Sequence, residues 1–316
     1  MSAKKKIVIL SVVLVLLVAL FLGLGLTPAN QAYALSRRIP KILAIILTGS
    51  AIAFSSVIFQ TVTGNRILTP SVLGLDSLYV LLQTATIFVL GSGAAAKLSG
   101  SMNFLLSVLL MVVFSVVILG SLLRKAKSNI YFLLLAGIIA GTLFRSASTF
   151  MQAILDPNEF LIVQGKLFAS FNNINTGILS LAAIMLVLAM GWGLKSVREL
   201  DVLSLGRDHA VNLGVDYRKL VNRMLLITAV LVSVSTALVG PLIFLGVLVT
   251  NLAREMLSTY RHSYLLPGSM LIASIALVFS QLLVERVLSN ETPVSVLINF
   301  VGGAYFIYLL LKENKL

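Results

Sequence analysis

Cysteine is absent from all 316 residues, and acidic residues number only 11. Without thiols the chain has no disulfide, no thiolate metal centre and no haem thioether. Its two histidines, His209 and His262, are far apart in sequence and match no metal-ligand spacing. Nothing reads G-x-x-x-x-G-K-[ST], so the chain carries no phosphate-binding loop of that kind and no catalytic constellation. Charged residues of both signs make up 11% of the chain against 59% hydrophobic, and a soluble core of this length cannot hide so much apolar surface. With a mean hydropathy of +1.04, what remains is an all-α polytopic membrane protein. A net charge of +13 in a soluble domain would suggest nucleic acid. In a membrane chain it reflects basic residues gathered in cytoplasmic loops, and no nucleic-acid partner is expected.

Against the ~20 residues needed to cross a bilayer, ten apolar stretches stand out. They cover residues 7–26, 42–62, 72–90, 102–123, 130–150, 176–194, 224–239, 240–257, 267–286 and 293–311. Lys4-Lys5-Lys6 and Ala32-Tyr33-Ala34 give the first a look of a signal peptide. Its apolar run exceeds the ~7–15 residues of a signal core, so it reads as a retained span. Gly240-Pro241 interrupts an apolar run and must end or kink a helix there. With the amino terminus inside, seventeen Lys and Arg fall on the cytoplasmic side and seven elsewhere (Arg37, Arg38, Lys41, Lys97, Arg145, Lys166 and Arg286). This asymmetry and the even span number predict both termini in the cytoplasm. No linker, low-complexity tract or clear repeat divides the chain, so residues 1–316 read as one transmembrane domain.

Residues 195–223 interrupt that apolar background. Six bases sit there: Lys195, Arg198, Arg207, Arg218, Lys219 and Arg223. Leu205-Gly206 and Leu213-Gly214 repeat a Leu-Gly step, and glycine past a helical turn is the usual stop. The segment reads as two short helices in tandem. Helices that short need a surface to pack on, so a soluble partner is expected on that side.

Two further features carry function. Thr142, Arg145, Ser146, Thr149, Gln152 and Asp156 recur at helical spacing on or near one face of the fifth span. One reading is a buried packing face with Arg145 paired to Asp156 or Asp76; the other is the lining of a polar pathway, which an intramembrane arginine favours. Gly137 and Gly141, and likewise Gly49 and Ala53, make small-residue seams suited to close helix packing. At the outer mouth of the second span stands Arg38-Ile39-Pro40-Lys41, with Pro40 fitting a first helical turn. Arg38, Lys41 and Arg286 either reach lipid phosphates or form a basic landing site for an acidic partner.

These residues resemble a known family: the permease subunits of ABC importers for iron–siderophores, haem and cobalamin. Arg38-Ile-Pro-Lys41 is similar to the family's Arg-Leu-Pro-Arg, and residues 49–60 to its small-residue stretch ending in Gln. Asn65 with Pro70-Ser-Val-Leu-Gly74, and Leu133-Leu-Leu-Ala-Gly137, follow in order. So do Leu203-Ser-Leu-Gly206 with Ala210-Val-Asn-Leu-Gly214, then Gly240-Pro-Leu-Ile-Phe-Leu-Gly246 and Leu252-Ala-Arg254. Leu265-Leu-Pro-Gly268, Glu291-Thr-Pro293 and residues 302–310 close the series. Departures are Gly64-Asn65-Arg66 for Arg-Asn-Pro, Thr250-Asn251 for Pro-His, Gln281 for an aspartate, and Arg145 itself. They bring the chain nearest to permeases for catecholate siderophores, which often work as pairs of different subunits.

The resemblance implies a ten-helix, type II importer architecture in a bacterial cytoplasmic membrane. It implies four partners: a cytoplasmic ATPase dimer, a second permease subunit of the same or a related chain, an extracytoplasmic binding protein and the bilayer. No cofactor is expected on the chain itself, since the partner uses the ATP. Leu203, Leu205, Gly206, Arg207, Ala210, Leu213 and Gly214 fall at the ATPase-coupling helices. Arg38, Lys41 and Arg286 fall where the binding protein docks, and Thr142, Arg145, Ser146, Thr149 and Gln152 on the translocation path. The expected cargo is a ferric siderophore, with cobalamin or haem as the other family choices. A transporter driven by an ion gradient remains the alternative class; it needs a midplane carboxylate, and Asp76 is the candidate.

Overall fold

The computed structural model describes residues 2–28, 31–97, 100–125, 130–172, 174–288 and 292–313. Lys127, Glu291 and Lys315 lie outside them. Among the described residues the regular structure is helical. In chain order the helices are α1 (Ala3–Gly23), α2 (Gln31–Thr63), α3 (Leu75–Lys97), α4 (Gly100–Lys125), α5 (Ile130–Ile154), α6 (Pro157–Leu167) and α7 (Thr176–Leu194). Then follow α8 (Val197–Leu203), α9 (Arg207–Asn212), α10 (Tyr217–Val239), α11 (Leu245–Leu257), α12 (His262–Arg286) and α13 (Val294–Glu313). Ten of these answer the ten expected spans; α6, α8 and α9 lie between them.

Seven (α1, α2, α4, α5, α7, α10 and α12) are long and apolar enough to cross a membrane, while α3 and α13 contribute shorter apolar stretches. The break expected at Gly240-Pro241 is real. Gly240 takes φ 101°, its amide still bonds the Thr236 carbonyl, and the chain runs without helix until α11 begins. At 13 residues α11 rises only about 20 Å, so this span is helical over only part of its depth. α2 differs from expectation too. It starts at Gln31, which puts Pro40 well inside the helix rather than in its first turn. The Ser36 carbonyl that Pro40 leaves without its usual donor belongs to an exposed residue, where water can satisfy it. With 33 residues, about 50 Å, α2 outreaches a ~30 Å hydrocarbon layer, so its first turns stand clear of it.

The core gathers around α2 and α10. Small residues let neighbours come close to α2: a Cβ on Gly49 would stand 3.0 Å from Leu277 Cδ1 and 3.3 Å from the Ala273 backbone of α12. The Gly137/Gly141 seam of α5 meets backbone rather than another long helix. It packs on a single 3-10 turn, Pro70–Leu73, which ends at Gly74 with φ 78°. A Cβ on Gly74 would sit 2.9 Å from the backbone of Gly141, and one on Gly137 would sit 2.7 Å from the Val72 carbonyl oxygen. Both seams are packing surfaces.

The molecule has two distinct ends. At one, Lys6 of α1 donates to the Met256 carbonyl of α11, and α8 meets the start of α12. At the other lie the last turn of α1, Arg38 and Lys41 of α2, and Glu285 and Arg286 of α12. Lys6 and the polar segment around α8 thus lie at the opposite end of the bundle from Arg38, Lys41 and Arg286.

Candidate functional sites

The polar segment folds as its glycines require. α8 and α9 are seven and six residues long. Gly206 between them takes φ 103° and ψ 164°, a conformation essentially closed to other residues, and Gly214 after them takes φ 83°. Leu200, Leu203 and Ala210 are buried and seat the pair on the bundle. Leu205 (59% exposed), Val211 (52%) and Leu213 (64%) point away from it. Apolar side chains left bare in a charged loop mark a surface awaiting a partner. Asp216 caps α10, its Oδ1 accepting from the Lys219 amide at 3.1 Å while its other oxygen pairs with Lys219 Nζ at 2.9 Å. Those Lys219 contacts hold the Asp216 carboxyl below the usual carboxylate range. Arg207 lies over the Tyr217 ring, 5.3 Å from its centroid. Arg223 donates to Ser196 at 3.0 Å and stands 3.8 Å from Glu199.

The polar stripe of α5 opens onto a groove of about 800 Å³. Thr142, Arg145, Ser146 and Thr149 line it, facing Leu68, Ser71, Val72, Gly74 and Ser77 from the 3-10 turn and its flanks. All four stripe residues are exposed. Among the described residues no ion pair joins Arg145 to Asp76 or Asp156, so the paired, buried reading of the stripe does not describe this structure. Gln152 departs from the stripe. One turn past the groove α3 closes over α5, and Gln152 donates to Thr84 Oγ1 at 3.1 Å and Ser148 Oγ at 2.9 Å. Asp76 does not line the groove; it is buried beside α10, where its Oδ1 accepts from Thr236 Oγ1 at 3.2 Å.

At the opposite end the basic residues are already engaged. α1 ends without a basic side chain of its own to meet its last carbonyls. Arg38 donates to the Leu22 carbonyl at 2.7 Å, and Arg286 donates to the Leu24 carbonyl at 2.7 Å. Two guanidinium groups from α2 and α12 thus cap one helix C-terminus, where the backbone carries partial negative charge. Lys41 pairs with Glu285 at 2.6 Å and donates to Asn172 at 3.1 Å; Gln281 donates to both of those same acceptors, at 2.8 and 3.1 Å. Arg37 is exposed and, with Lys41, lines a polar pocket of about 420 Å³.

Several contacts escaped the sequence reading. Gln60 donates to the Arg66 carbonyl (2.6 Å) and to Thr250 Oγ1 (2.8 Å), and Asn251 also donates to the Arg66 carbonyl at 3.1 Å. The Thr250-Asn251 departure therefore joins a clasp with Gln60 and the Arg66 backbone. Asp201 Oδ1 accepts from the His262 amide and lies 2.7 Å from His262 Nδ1, while His262 Nε2 lies 2.7 Å from Thr61 Oγ1. No local signal announces such contacts, because the partners stand far apart in the chain.

A family model described as the FecCD transport family matches residues 5–312. The chain belongs to that family. It is therefore a permease subunit of an ABC importer. It is 56% identical over 315 residues to the petrobactin import system permease protein YclO of Bacillus subtilis, covering 100% of this chain and 99% of that protein. It is 38% identical to the petrobactin import system permease protein FatC of Bacillus anthracis, over 89% of this chain and 79% of that one. Among solved structures, an inward-facing ABC transporter of the metal-chelate type superposes with a TM-score of 0.82 at 24% identity, over 98% of this chain and 100% of that chain. That likeness shows the fold: the family's helical permease architecture, with α8 and α9 within it.

Proposed function

We propose that this chain carries a ferric siderophore across the cytoplasmic membrane into the cell, driven by ATP hydrolysed on a separate subunit. The observation that carries the reading is the bare apolar face of Leu205, Val211 and Leu213 on two short helices that have no fold of their own. A cytoplasmic ATPase dimer is the partner that face fits. The island end is then cytoplasmic, in keeping with the bases at that end and the contact of Lys6 there. Thr142, Arg145, Ser146 and Thr149 line one wall of the cargo path. A second permease subunit supplies the other wall and covers Leu135, Ile139 and Leu143, all more than half exposed on α5. Ferric catecholates are commonly anionic, and Arg145 attracts such a cargo most strongly where water is scarce. Identities of 56% and 38% to petrobactin permeases support a siderophore as cargo.

A binding protein delivers the cargo at the opposite end. Arg38, Lys41 and Arg286 stay in the reading as its landing site, with Arg37 beside them as the more available charge. Asp76 is buried and does not itself line the groove, so the gradient-driven reading has no carboxylate in the path to rest on. The test is uptake of radiolabelled ferric siderophore by cells carrying the chain with its ATPase, with and without ATP depletion. Uptake should cease when ATP is depleted and should require the ATPase. Transport by the purified chain in liposomes without ATP would overturn the proposal.

A further inference from the structure

We propose that the Asp201–His262–Thr61 linkage transmits motion of the coupling helices into α2 and α12, and through α2 to the wall of the groove. The inference rests on the reading of α8 and α9 as the ATPase dock.

α8 sits on the bundle through Leu200 and Leu203, which are buried but give contacts that can slide. Its directional hold is Asp201. A helix begins with backbone donors that lack partners, and Arg261, the residue before α12, offers no side-chain cap. Asp201 Oδ1 supplies that cap from another helix, accepting from the His262 amide at 2.7 Å. A carboxylate at that position also suits the positive end of α12. The same oxygen lies 2.7 Å from His262 Nδ1. The imidazole is 1% exposed, and its other nitrogen reaches Thr61 Oγ1 in the last turn of α2 at 2.7 Å. One buried residue thus joins three helices: α12 carries it, α8 holds its amide and Nδ1, and α2 meets its Nε2.

What the ring joins is stiff. α2 and α12 touch along the Gly49 seam and are tied again at the opposite end by Lys41 and Glu285. Beyond Thr61 the chain soon reaches the groove. Gln60 and Asn251 both fasten the Arg66 carbonyl, and Leu68, Ser71, Val72 and Gly74 next in sequence line the groove opposite Arg145. A displacement of α8 therefore has a continuous path to the cargo wall, buried at His262 and Thr61 and then running through the partly exposed loop that Gln60 and Asn251 clasp. The second connection to α8, from Arg223 to Ser196 at 3.0 Å and to Glu199 at 3.8 Å, holds its other end, is partly exposed and does not lead to α2 or α12.

Spatial continuity alone does not establish coupling, so the test separates work done from ATP spent. The complete transporter, with its partner permease, ATPase and binding protein, is placed in proteoliposomes. ATP hydrolysis and ferric siderophore uptake are measured together for Thr61→Val, His262→Gln and the double variant. Thr61→Val keeps the shape of a buried residue and deletes only the hydroxyl. Gln at 262 is long enough to keep one of the ring's two contacts, not both. Each variant should retain the ATPase and hydrolyse ATP within about twofold of wild type, while uptake per ATP falls about fivefold or more. The double variant should be no worse than the worse single one, because links in series are non-additive, and Thr61→Ser should restore the ratio. Unchanged uptake per ATP in both single variants overturns the linkage. So does a joint fall of uptake and hydrolysis at constant ratio, which marks damaged assembly instead. A wild-type chain that retains no ATPase refutes the parent reading; wild-type assembly with unaffected variants refutes only this one.

Discussion

The two ends of this permease carry similar charges and use them in opposite ways. Around α8 and α9, Arg223 and Lys219 meet acids of their own loop, while Lys195, Arg198 and Arg218 stand exposed beside the bare Leu205, Val211 and Leu213. At the other end Arg38, Lys41 and Arg286 are spent on carbonyls and on Glu285. A basic residue near a membrane face is therefore not free by default to meet a partner. What its donors already hold decides whether it is available, because a bonded guanidinium must break those contacts before it can greet a partner. A bare leucine in a polar loop has no such prior engagement.

Leu213→Asp should break the comparison most severely. A charge on the bare face should abolish co-purification of the ATPase and all uptake, while the thermal midpoint of the purified permease stays put; retained ATPase would remove this face from the interface. Next comes Arg145→Ala, expected to lower uptake about tenfold, or ~1.4 kcal/mol of lost attraction, with assembly and thermal midpoint intact. Unchanged uptake would take Arg145 out of the path. Arg38→Ala then weighs the helix-capping role against the landing role. Loss of a charge-assisted bond should cost about 1.5–3 kcal/mol of stability, seen as a lower melting midpoint. A normal midpoint with weakened binding-protein affinity would reverse that assignment. The smallest effect is expected from a double-mutant cycle on Lys41→Met and Glu285→Gln. Their pair is only partly exposed, and a coupling near ~1 kcal/mol would show that it helps fasten α2 to α12; zero coupling would show that Gln281 and Asn172 suffice.

Much of the fold was legible because membrane crossing constrains sequence so tightly. Apolar length marked ten spans, and the two Leu-Gly steps marked two short helices where α8 and α9 are found. Four residues of the α5 stripe share one face as expected; Gln152 does not, because the neighbouring α3 sets its partners, and Asp156 falls past the end of α5 at the start of α6. Pro40 misled because proline is commonest in a first turn, yet α2 continues nine residues before it. His262 was visible only as a lone histidine. Its role depends on Asp201 and Thr61, residues that hydropathy and spacing leave unremarked.

The sequence by itself thus determined the class of molecule, its apolar spans, the two short helices between them and its charge asymmetry. Those follow from composition and local periodicity, which act over a few turns. Tertiary structure alone decided which charges are free, which face of α5 is open and how α8 is tied to the bundle. Those depend on contacts between residues far apart in the chain, such as 38 with 22, 41 with 285 and 61 with 262. Burial and hydrogen bonding are settled by which helices meet, and local sequence pattern does not specify that.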